Sequence, residues 1–298
     1  MVLSGSDAAA DSGLAWEAID RGQVPTHAEE GSAEVIERLA AIGRDAVKRW
    51  PSISTIGIGV PGPYDPSSGA TRSLTNFPGD WEGVPVAPYV GLEVGGVPAY
   101  LINDARAFGL AELRLGAGRG ASSMVGLTLG TGLGGVFAIN GRVHQGLDGA
   151  AGELGHQTID TDGPPCNCGN VGCLEAFVRA DVIEAAAGAA SMEEVVERAR
   201  AGEAQAVAAL TDAARYLGIG IGNVVTLLTP DRVVIGGGVA AALDLLLPVM
   251  WEEMRKRVFM TRLDTVEIVP AELGVWAGAI GAAIHGAEAA SQSTSDPG

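Results

Sequence analysis

Hydrophobic and polar positions alternate along this chain in two patterns. Runs that favour β-strands lie at residues 1–4, 14–24, 53–60, 99–102, 124–129, 136–140, 232–235 and 265–269. Stretches that favour helices lie at residues 32–50, 104–115, 176–228, 239–257 and 275–289. In the stretch 32–50, apolar residues recur at helical spacing. Because strands alternate with helices, the pattern predicts an α/β fold. Gly116, Gly118 and Gly120 mark a seam between two predicted domains.

The composition limits the partners that the chain can have. Its 298 residues include 36 acidic and 19 basic side chains, for a formal net charge of -17, and no basic run occurs. Stable binding to nucleic acid needs several Lys and Arg side chains on phosphates. We therefore expect no nucleic-acid partner, although one ATP molecule needs only a local set of donors.

Three features predict a cytoplasmic protein without a membrane partner. No apolar run approaches the roughly 20 residues of a membrane-spanning helix, and residues 1–11 lack the basic and apolar regions of a signal peptide. The cysteines, Cys166, Cys168 and Cys173, are odd in number and fall within eight residues. A disulfide framework would use an even set at wider spacing, so we expect a reducing compartment.

The same cysteines form a candidate metal site. His156 lies ten residues before Cys166, and three thiolates with one imidazole complete a tetrahedral shell, which is the pattern of structural zinc. Sulfur ligands argue against magnesium or calcium. The alternative is a loop with free cysteines, but free cysteines are usually scattered through cores. A bound zinc ion would order this loop.

Two glycine turns are candidate nucleotide sites. Residues 130–135 read Gly-Thr-Gly-Leu-Gly-Gly, but β-formers follow at 136–140, whereas the dinucleotide fingerprint requires a helix. This turn, with Gly130, Thr131 and Gly132, is either a plain hairpin or a hairpin that presents N–H groups and a hydroxyl to phosphate. A second turn, Gly236, Gly237 and Gly238, separates a predicted strand from a helix and would let a flat ligand approach the backbone.

Polar residues near these motifs are candidates for acid–base chemistry and sugar binding. Asp104 follows Asn103 at the end of a predicted strand, where it is either a helix N-cap or a general base. Glu153 and Glu175 flank the cysteine loop, together with His156. Such groups bind sugar hydroxyls through charge-assisted hydrogen bonds, although the simpler explanation of each glutamate taken alone is a solvated loop charge.

Together these motifs resemble the ROK family (repressor, open reading frame, kinase) over about residues 14–288. The matching pieces are residues 57–63 (GIGVPGP), 103–104 (ND), 130–135 (GTGLGG), 152–156 (GELGH), 166–175 (CNCGNVGCLE) and 236–238 (GGG). The resemblance implies an α/β, actin-like ATPase/hexokinase-type two-domain fold with ribonuclease H-like halves. We expect residues 1–115 with 272–290 to form the smaller domain, 116–271 the larger domain with the zinc loop and the nucleotide site, and 291–298 a disordered tail.

The resemblance also implies roles for single residues in ATP-dependent phosphorylation of a hexose. Asp104 would be the catalytic base. The sugar would be held by Asn103, Glu153, His156 and Glu175. Structural zinc would be held by His156, Cys166, Cys168 and Cys173. ATP with Mg²⁺ would be bound by Gly130, Thr131, Gly132, Gly236, Gly237 and Gly238. We expect a homodimer or homotetramer, and glucose is the first candidate sugar, with N-acetylmannosamine or another hexose next.

One motif of the family has no counterpart in this sequence. Members open with a strand that carries Asp-x-Gly-Gly-Thr-Lys or similar, whereas residues 1–4 match the strand that follows it. The expectation is therefore a chain that starts after its first strand, from a misplaced start codon, and that is a poor kinase. The alternatives are a non-catalytic sugar-binding or regulatory protein and, disfavoured by the strand after residue 135, an NAD-dependent dehydrogenase.

Overall fold

The computed structural model describes residues 1–7, 14–72, 74 and 77–293. The strands are β1 (Val2–Asp7), β2 (Leu14–Asp20), β3 (Ile56–Val60), β4 (Tyr64–Asp65), β5 (Ala70–Thr71), β6 (Ala99–Asn103), β7 (Ser123–Leu129), β8 (Leu133–Ile139), β9 (Arg142–Val143), β10 (Arg232–Gly236) and β11 (Glu267–Pro270). The helices are α1 (Ser32–Arg49), α2 (Val86–Glu93), α3 (Asp104–Leu115), α4 (Glu175–Val178), α5 (Ala180–Ala187), α6 (Met192–Arg200), α7 (Ala204–Leu228), α8 (Leu243–Arg255) and α9 (Ala277–Ser293). The chain divides into two compact units.

The first unit comprises Met1–Ala111, Gln145–Ala150 and Trp276–Gly298. Strands β1 and β2 pair antiparallel, and β3 and β6 pair parallel, each pair as a separate two-stranded sheet within the described residues. Helix α9 lies so close to β3 that a Cβ at Gly57 would overlap the Ala282 carbonyl. Gly57, in the predicted strand 53–60, therefore allows a helix backbone to pack directly on the sheet.

The second unit comprises Glu112–His144 and Ala151–Val275. Its five-stranded sheet has the order β11-β10-β7-β8-β9, with β7, β10 and β11 parallel and β8 antiparallel to β7. Helices α7 and α8 pack on one another so closely that a Cβ at Gly218 would lie 2.8 Å from the Met250 carbonyl oxygen. Because β7 and β10 are parallel, the turns that follow them lie at the same edge of the sheet.

A buried carboxylate joins distant segments of this second unit. Glu112, on α3, is fully buried, and its oxygens accept hydrogen bonds from the backbone N–H groups of Ala117 (2.9 Å), Leu273 (2.9 Å) and Glu272 (3.1 Å). A buried charge is tolerated only where such donors replace water. Glu112 therefore fixes the end of α3 against the segment that follows β11.

The structure confirms the alternation of strands and helices and corrects several boundaries. The strand predicted at 136–140 begins at Leu133, so Gly134 and Gly135 belong to β8 and the turn is shorter than expected. The helix predicted at 239–257 begins as a 3-10 turn, Gly238–Ala242. The expected tail at 291–298 is wrong at its start because α9 continues through Ser293, and residues 294–298 lie outside the described residues. The predicted domain boundaries stay a prediction.

In the part of the chain that the structure describes, no helix combines the length and the apolar composition that crossing a membrane requires.

Candidate functional site

The three cysteines and His156 converge in the second unit. One ligand atom from each of His156, Cys166, Cys168 and Cys173 lies within 4.8 Å of all the others. The His156 Nδ1 to Cys166 Sγ distance is 3.7 Å, and the Cys168 Sγ to Cys173 Sγ distance is also 3.7 Å. The predicted constellation is therefore assembled in space, although these residues are spread over 18 positions.

These separations fit a tetrahedral metal shell. With zinc–sulfur bonds of about 2.3 Å and tetrahedral angles, two thiolates lie about 3.8 Å apart, and an imidazole nitrogen lies about 3.6 Å from a thiolate. The sulfur–sulfur and nitrogen–sulfur distances of 3.7 Å are close to both values. Disulfide sulfurs would instead lie about 2.0 Å apart. The donor set and its spacing therefore suit one zinc ion.

The backbone of residues 158–173 explains why the sequence folds into this shape. Gly169 and Gly172 have φ values of +90° and +69°, which side chains rarely adopt, and a Cβ at Gly172 would overlap the Asp160 carbonyl. The Cys166 N–H donates to the Asn170 carbonyl at 2.8 Å. The Asn170 side-chain amide donates to Cys173 Sγ at 3.5 Å. The loop thus brings the three sulfurs toward one another and gives one of them a hydrogen-bond donor.

The environment of the thiols is uneven. Burial raises the pKa of the Cys173 thiol to about 12 and also raises the pKa of Cys166. A hydrogen bond from the Asn170 backbone N–H lowers the pKa of Cys168. A metal ion binds thiolates, so ion binding at this cluster would displace the protons that the buried thiols hold.

The two glycine turns are neighbours at the carboxyl edge of the sheet. In the β7–β10 pairing, Gly236 is opposite Thr128, so the chain after β7 and the chain after β10 leave the sheet side by side. A Cβ at Gly237 would lie 2.7 Å from the Leu129 carbonyl carbon and closer still to its oxygen. The two motifs, more than 100 residues apart in sequence, thus form one glycine-lined edge.

Glycines at this edge are required for different reasons. Gly237 has a φ of +87° and touches the Leu129 backbone, whereas a Cβ at Gly132 would lie 2.7 Å from Glu175 Oε2. Within the described residues, a Cβ at Gly130 or Gly238 would meet no atom within 4 Å apart from the adjacent residues, and neither glycine has a positive φ. The last two glycines leave open space beside the backbone, which a ligand could occupy.

The predicted sugar-binding residues of the second unit, Glu153, His156 and Glu175, have different surroundings. His156 directs Nδ1 toward Cys166, while its Nε2 lies 4.0 Å from Oε2 of Glu153, whose side chain is 59% exposed. Glu175 is buried, and its Oε2 accepts a hydrogen bond from the Leu133 N–H at 2.8 Å. Glu153 and His156 therefore form an accessible polar pair, and Glu175 is held against the glycine turn.

Asn103 and Asp104 lie in the other unit, where β6 ends and α3 begins. The Asn103 side-chain oxygen accepts from the N–H groups of Ala105 (3.1 Å) and Arg106 (3.2 Å), which makes Asn103 the N-cap of α3. The Asp104 side chain is exposed, and its Oδ1 accepts from the Ala105 N–H at 2.8 Å. Desolvation by surrounding protein raises the pKa of Asp104 against the lowering effect of that hydrogen bond. Its partial exposure limits this rise.

Solved structures define the class of this fold. The chain is similar to a ROK hexokinase from Thermus thermophilus, with 36% identity, a TM-score of 0.79 and 90% of each chain covered. It is also similar to a ROK family glucokinase from Streptomyces griseus in complex with glucose and AMPPNP, with 27% identity, a TM-score of 0.74 and coverage of 87% of this chain and 89% of that one. The fold is the actin-like ATPase/hexokinase-type two-domain fold, as predicted.

The chain belongs to the ROK family, whose family model matches residues 9–288. A glucokinase from Halalkalibacterium halodurans is 33% identical over 90% of this chain and 87% of its own length. A xylose repressor from Caldicellulosiruptor bescii is 29% identical over 82% of this chain and 66% of its own length. Both sugar kinases and regulators are therefore among the relatives, and the kinases match over nearly their whole length.

Sequence reasoning missed two features of this site. It treated the two glycine turns separately, although the parallel order of β7 and β10 makes them neighbours. It also assigned Glu175 to the sugar alone and missed its hydrogen bond to Leu133. The only sequence signal for the second contact is the glycine at position 132, which leaves room for a carboxylate.

Proposed function

We propose that the protein transfers the γ-phosphoryl group of ATP to a hydroxyl group of a hexose. The observation that carries the proposal is the glycine-lined edge, where the contact between Gly237 and the Leu129 backbone brings the two glycine turns together. Open α/β sheets bind ligands at the carboxyl ends of their strands, and this edge lies there. Gly130, Thr131 and Gly132 would face the phosphates, and Gly236, Gly237 and Gly238 would face the adenosine. The similarity to hexokinases and glucokinases supports the same reaction.

Asp104 is the proposed general base. Its carboxylate would accept the proton of the sugar hydroxyl while that oxygen forms a bond to the γ-phosphorus and the bond from phosphorus to the β-phosphate oxygen breaks. Asn103 caps α3, so Asp104 is not required as the cap and remains available for a proton. Magnesium, bound with ATP, supplies positive charge that stabilises the transferring phosphoryl group.

The sugar hydroxyls would be bound by Asn103, Glu153, His156 and Glu175. Glu153 and His156 are accessible and close together, so they can bind adjacent hydroxyls pairwise. His156 would hold zinc through Nδ1, together with Cys166, Cys168 and Cys173, and would direct Nε2 toward the sugar. In this proposal zinc orders the loop and takes no part in the chemistry, because four protein ligands leave no open position. The reaction would take place in the cytoplasm, where thiols stay reduced.

Replacing Asp104 by Asn tests the assignment. The amide keeps the shape of the side chain but cannot accept the proton, and a positioned base contributes roughly 10²–10⁴-fold. We expect kcat for hexose phosphorylation to fall by that factor in Asp104→Asn, with sugar affinity much less affected. ADP release with glucose, N-acetylmannosamine and other hexoses measures the effect, and the same assay tests the expectation of slow turnover. Asp212→Asn, an exposed residue of α7, is the control; normal turnover in Asp104→Asn would remove Asp104 from this role.

The pH profile provides a second measurement on Asp104. A general base acts only when it is ionised, so kcat/KM should fall as the pH falls through the pKa of Asp104. Because that pKa is raised, the loss should occur at a higher pH than the value of about 3.9 expected for an ordinary aspartate. The residual activity of Asp104→Asn should lack this acidic limb. An unchanged acidic limb in that variant would assign it to another group.

A regulatory sugar-binding protein is the second candidate, because a xylose repressor is among the relatives. Such a protein would bind sugar without releasing ADP. A thermal-shift panel of sugars, with and without Mg-ATP, separates the two functions: stabilisation by sugar with no turnover at any ATP concentration would favour regulation. The net charge of -17 disfavours direct DNA binding by the chain itself.

A further inference from the structure

The carboxylate of Glu175 lies between the glycine turn and the cysteine cluster. Its Oε2 accepts a hydrogen bond from the Leu133 N–H at 2.8 Å, and its Oε1 lies 3.8 Å from Cys166 Sγ. The residue is 5% exposed. A carboxylate buried to this extent needs a donor such as the Leu133 N–H because it has lost its water, so its position is tightly constrained.

The glycine turn is built around this carboxylate. A Cβ at Gly132 would lie 2.7 Å from Glu175 Oε2, so the glycine is required by Glu175 rather than by the turn geometry alone. The same segment also holds the start of the turn, because the Ala180 N–H donates to the Gly130 carbonyl at 2.9 Å. Displacing residues 175–180 would therefore change both ends of the turn.

The position of Glu175 depends in turn on the cysteine cluster. Glu175 begins α4, which has four residues and is too short to be stable by itself. The Ala176 N–H donates to the Cys173 carbonyl at 3.0 Å, and the Leu174 N–H donates to the Gln157 carbonyl at 3.0 Å. The start of α4 is thus held by the same backbone that carries the cluster.

We infer that Glu175 is a positioning residue that couples the order of the Cys/His cluster to the Gly130–Gly132 turn. A metal ion in the cluster then affects the groups that face the nucleotide phosphates as well as the sugar side of the site. This consequence for the nucleotide rests on the proposed function, whereas the coupling between cluster and turn does not. Glu175 acts here through the backbone of Leu133 and not by contact with the reacting atoms.

Amide hydrogen exchange of the peptide that contains residues 130–133 tests the coupling directly. We expect faster exchange after the metal is removed by a chelator and in Glu175→Ala, since both release the Leu133 N–H. At the Leu133 N–H, metal removal should add little in Glu175→Ala, because that amide has already lost its acceptor. Glu175→Gln should keep most of the protection, since its amide oxygen can still accept the hydrogen bond. Glu197→Ala, an exposed residue of α6, is the control, and unchanged exchange in α7 shows that the variants remain folded.

The affinity for AMPPNP, measured by calorimetry, gives the second readout. Glu175→Ala and metal removal should each weaken binding by roughly two- to tenfold, because the loosened turn must then be ordered when the nucleotide binds. If exchange is coupled but wild-type protein binds no AMPPNP, the proposed function fails and the positioning role of Glu175 stands. The inference is overturned if the purified protein contains no metal, if Glu175→Ala leaves exchange at 130–133 unchanged, or if the two perturbations are additive.

Discussion

The two glycine turns of the second unit lie at one edge of one sheet, but their glycines are constrained by different parts of the protein. At Gly237 the neighbour is the Leu129 backbone, and φ is +87°. At Gly132 the neighbour is the end of the Glu175 side chain. A backbone in a central strand cannot yield, whereas a side chain can change its rotamer. Two glycine-rich turns that look equivalent in the sequence therefore differ in how strictly the fold requires their glycines.

Each turn also contains one glycine for which the described part of the protein offers no internal reason. Gly130 and Gly238 have no positive φ and no neighbour within 4 Å of the position a Cβ would take. The space beside them is available to a ligand, which is why both belong to the proposed nucleotide site. Substitution by alanine should consequently separate structural glycines from ligand-facing glycines, and the expected effects on stability decrease from Gly237 to Gly132 to Gly238.

Gly237→Ala should have the largest effect on stability. The new methyl group would overlap the Leu129 carbonyl, and the backbone conformation is unfavourable for alanine. Gly237 has φ +87° and ψ 175°, a region that essentially only glycine occupies. Strain there costs about 1–3 kcal/mol and overpacking about 1–3 kcal/mol, so we expect a loss of about 2–6 kcal/mol in the free energy of unfolding. Urea denaturation measures it. Wild-type stability would show that β7 and β10 are not as close as described.

Gly132→Ala should have an intermediate effect that depends on Glu175. The methyl group would lie 2.7 Å from Glu175 Oε2, so the carboxylate must move and its hydrogen bond to Leu133 weakens. We expect a loss of about 1–2 kcal/mol in unfolding free energy. In the Glu175→Ala background the same substitution should cost much less, which a double-mutant cycle measures. Equal costs in both backgrounds would contradict the role assigned to the carboxylate.

Gly238→Ala should have the smallest effect on stability but a clear effect on binding. Alanine fits the backbone of the 3-10 turn without contact, so unfolding free energy should stay within about 1 kcal/mol of wild type. A methyl group that intrudes on a bound nucleotide costs about 1–3 kcal/mol, which corresponds to roughly five- to a hundredfold weaker AMPPNP binding. Unchanged AMPPNP affinity would place the adenosine elsewhere. Gly22→Ala, at an exposed glycine with open space beside it and no positive φ, lies outside the proposed site and provides the matched comparison for binding.

Much of the proposed site was predictable from short stretches of sequence. The spacing of Cys166, Cys168 and Cys173, with His156 upstream, predicted their convergence, because a loop with glycines can bring ligands together over a short span. Asn103 and Asp104 were placed correctly at the junction of β6 and α3, since a buried strand followed by a polar pair is a local signal. These features depend on interactions within about 20 residues of chain.

The start of β8 and the end of α9 could not be predicted, because the local sequence at each favours a different structure from the one that distant contacts impose. Leu133, Gly134 and Gly135 read as part of a turn, yet they pair with β7 as strand residues. The alanine-rich end of α9 continues to Ser293, although its polar residues resemble a tail. In both cases the pairing or packing partner is distant in sequence and overrides a weak local preference.

The sequence by itself determined the α/β alternation, the residue types of the candidate metal site and the family, because periodicity and ligand spacing are local properties of the chain. Only the tertiary structure decided that the turns after β7 and β10 form one edge, and that Glu175 connects the cysteine cluster to the Leu133 N–H. The physical reason is that strand order and backbone approach are set by packing between segments about 40 to 110 residues apart, and no local pattern records which segments will meet.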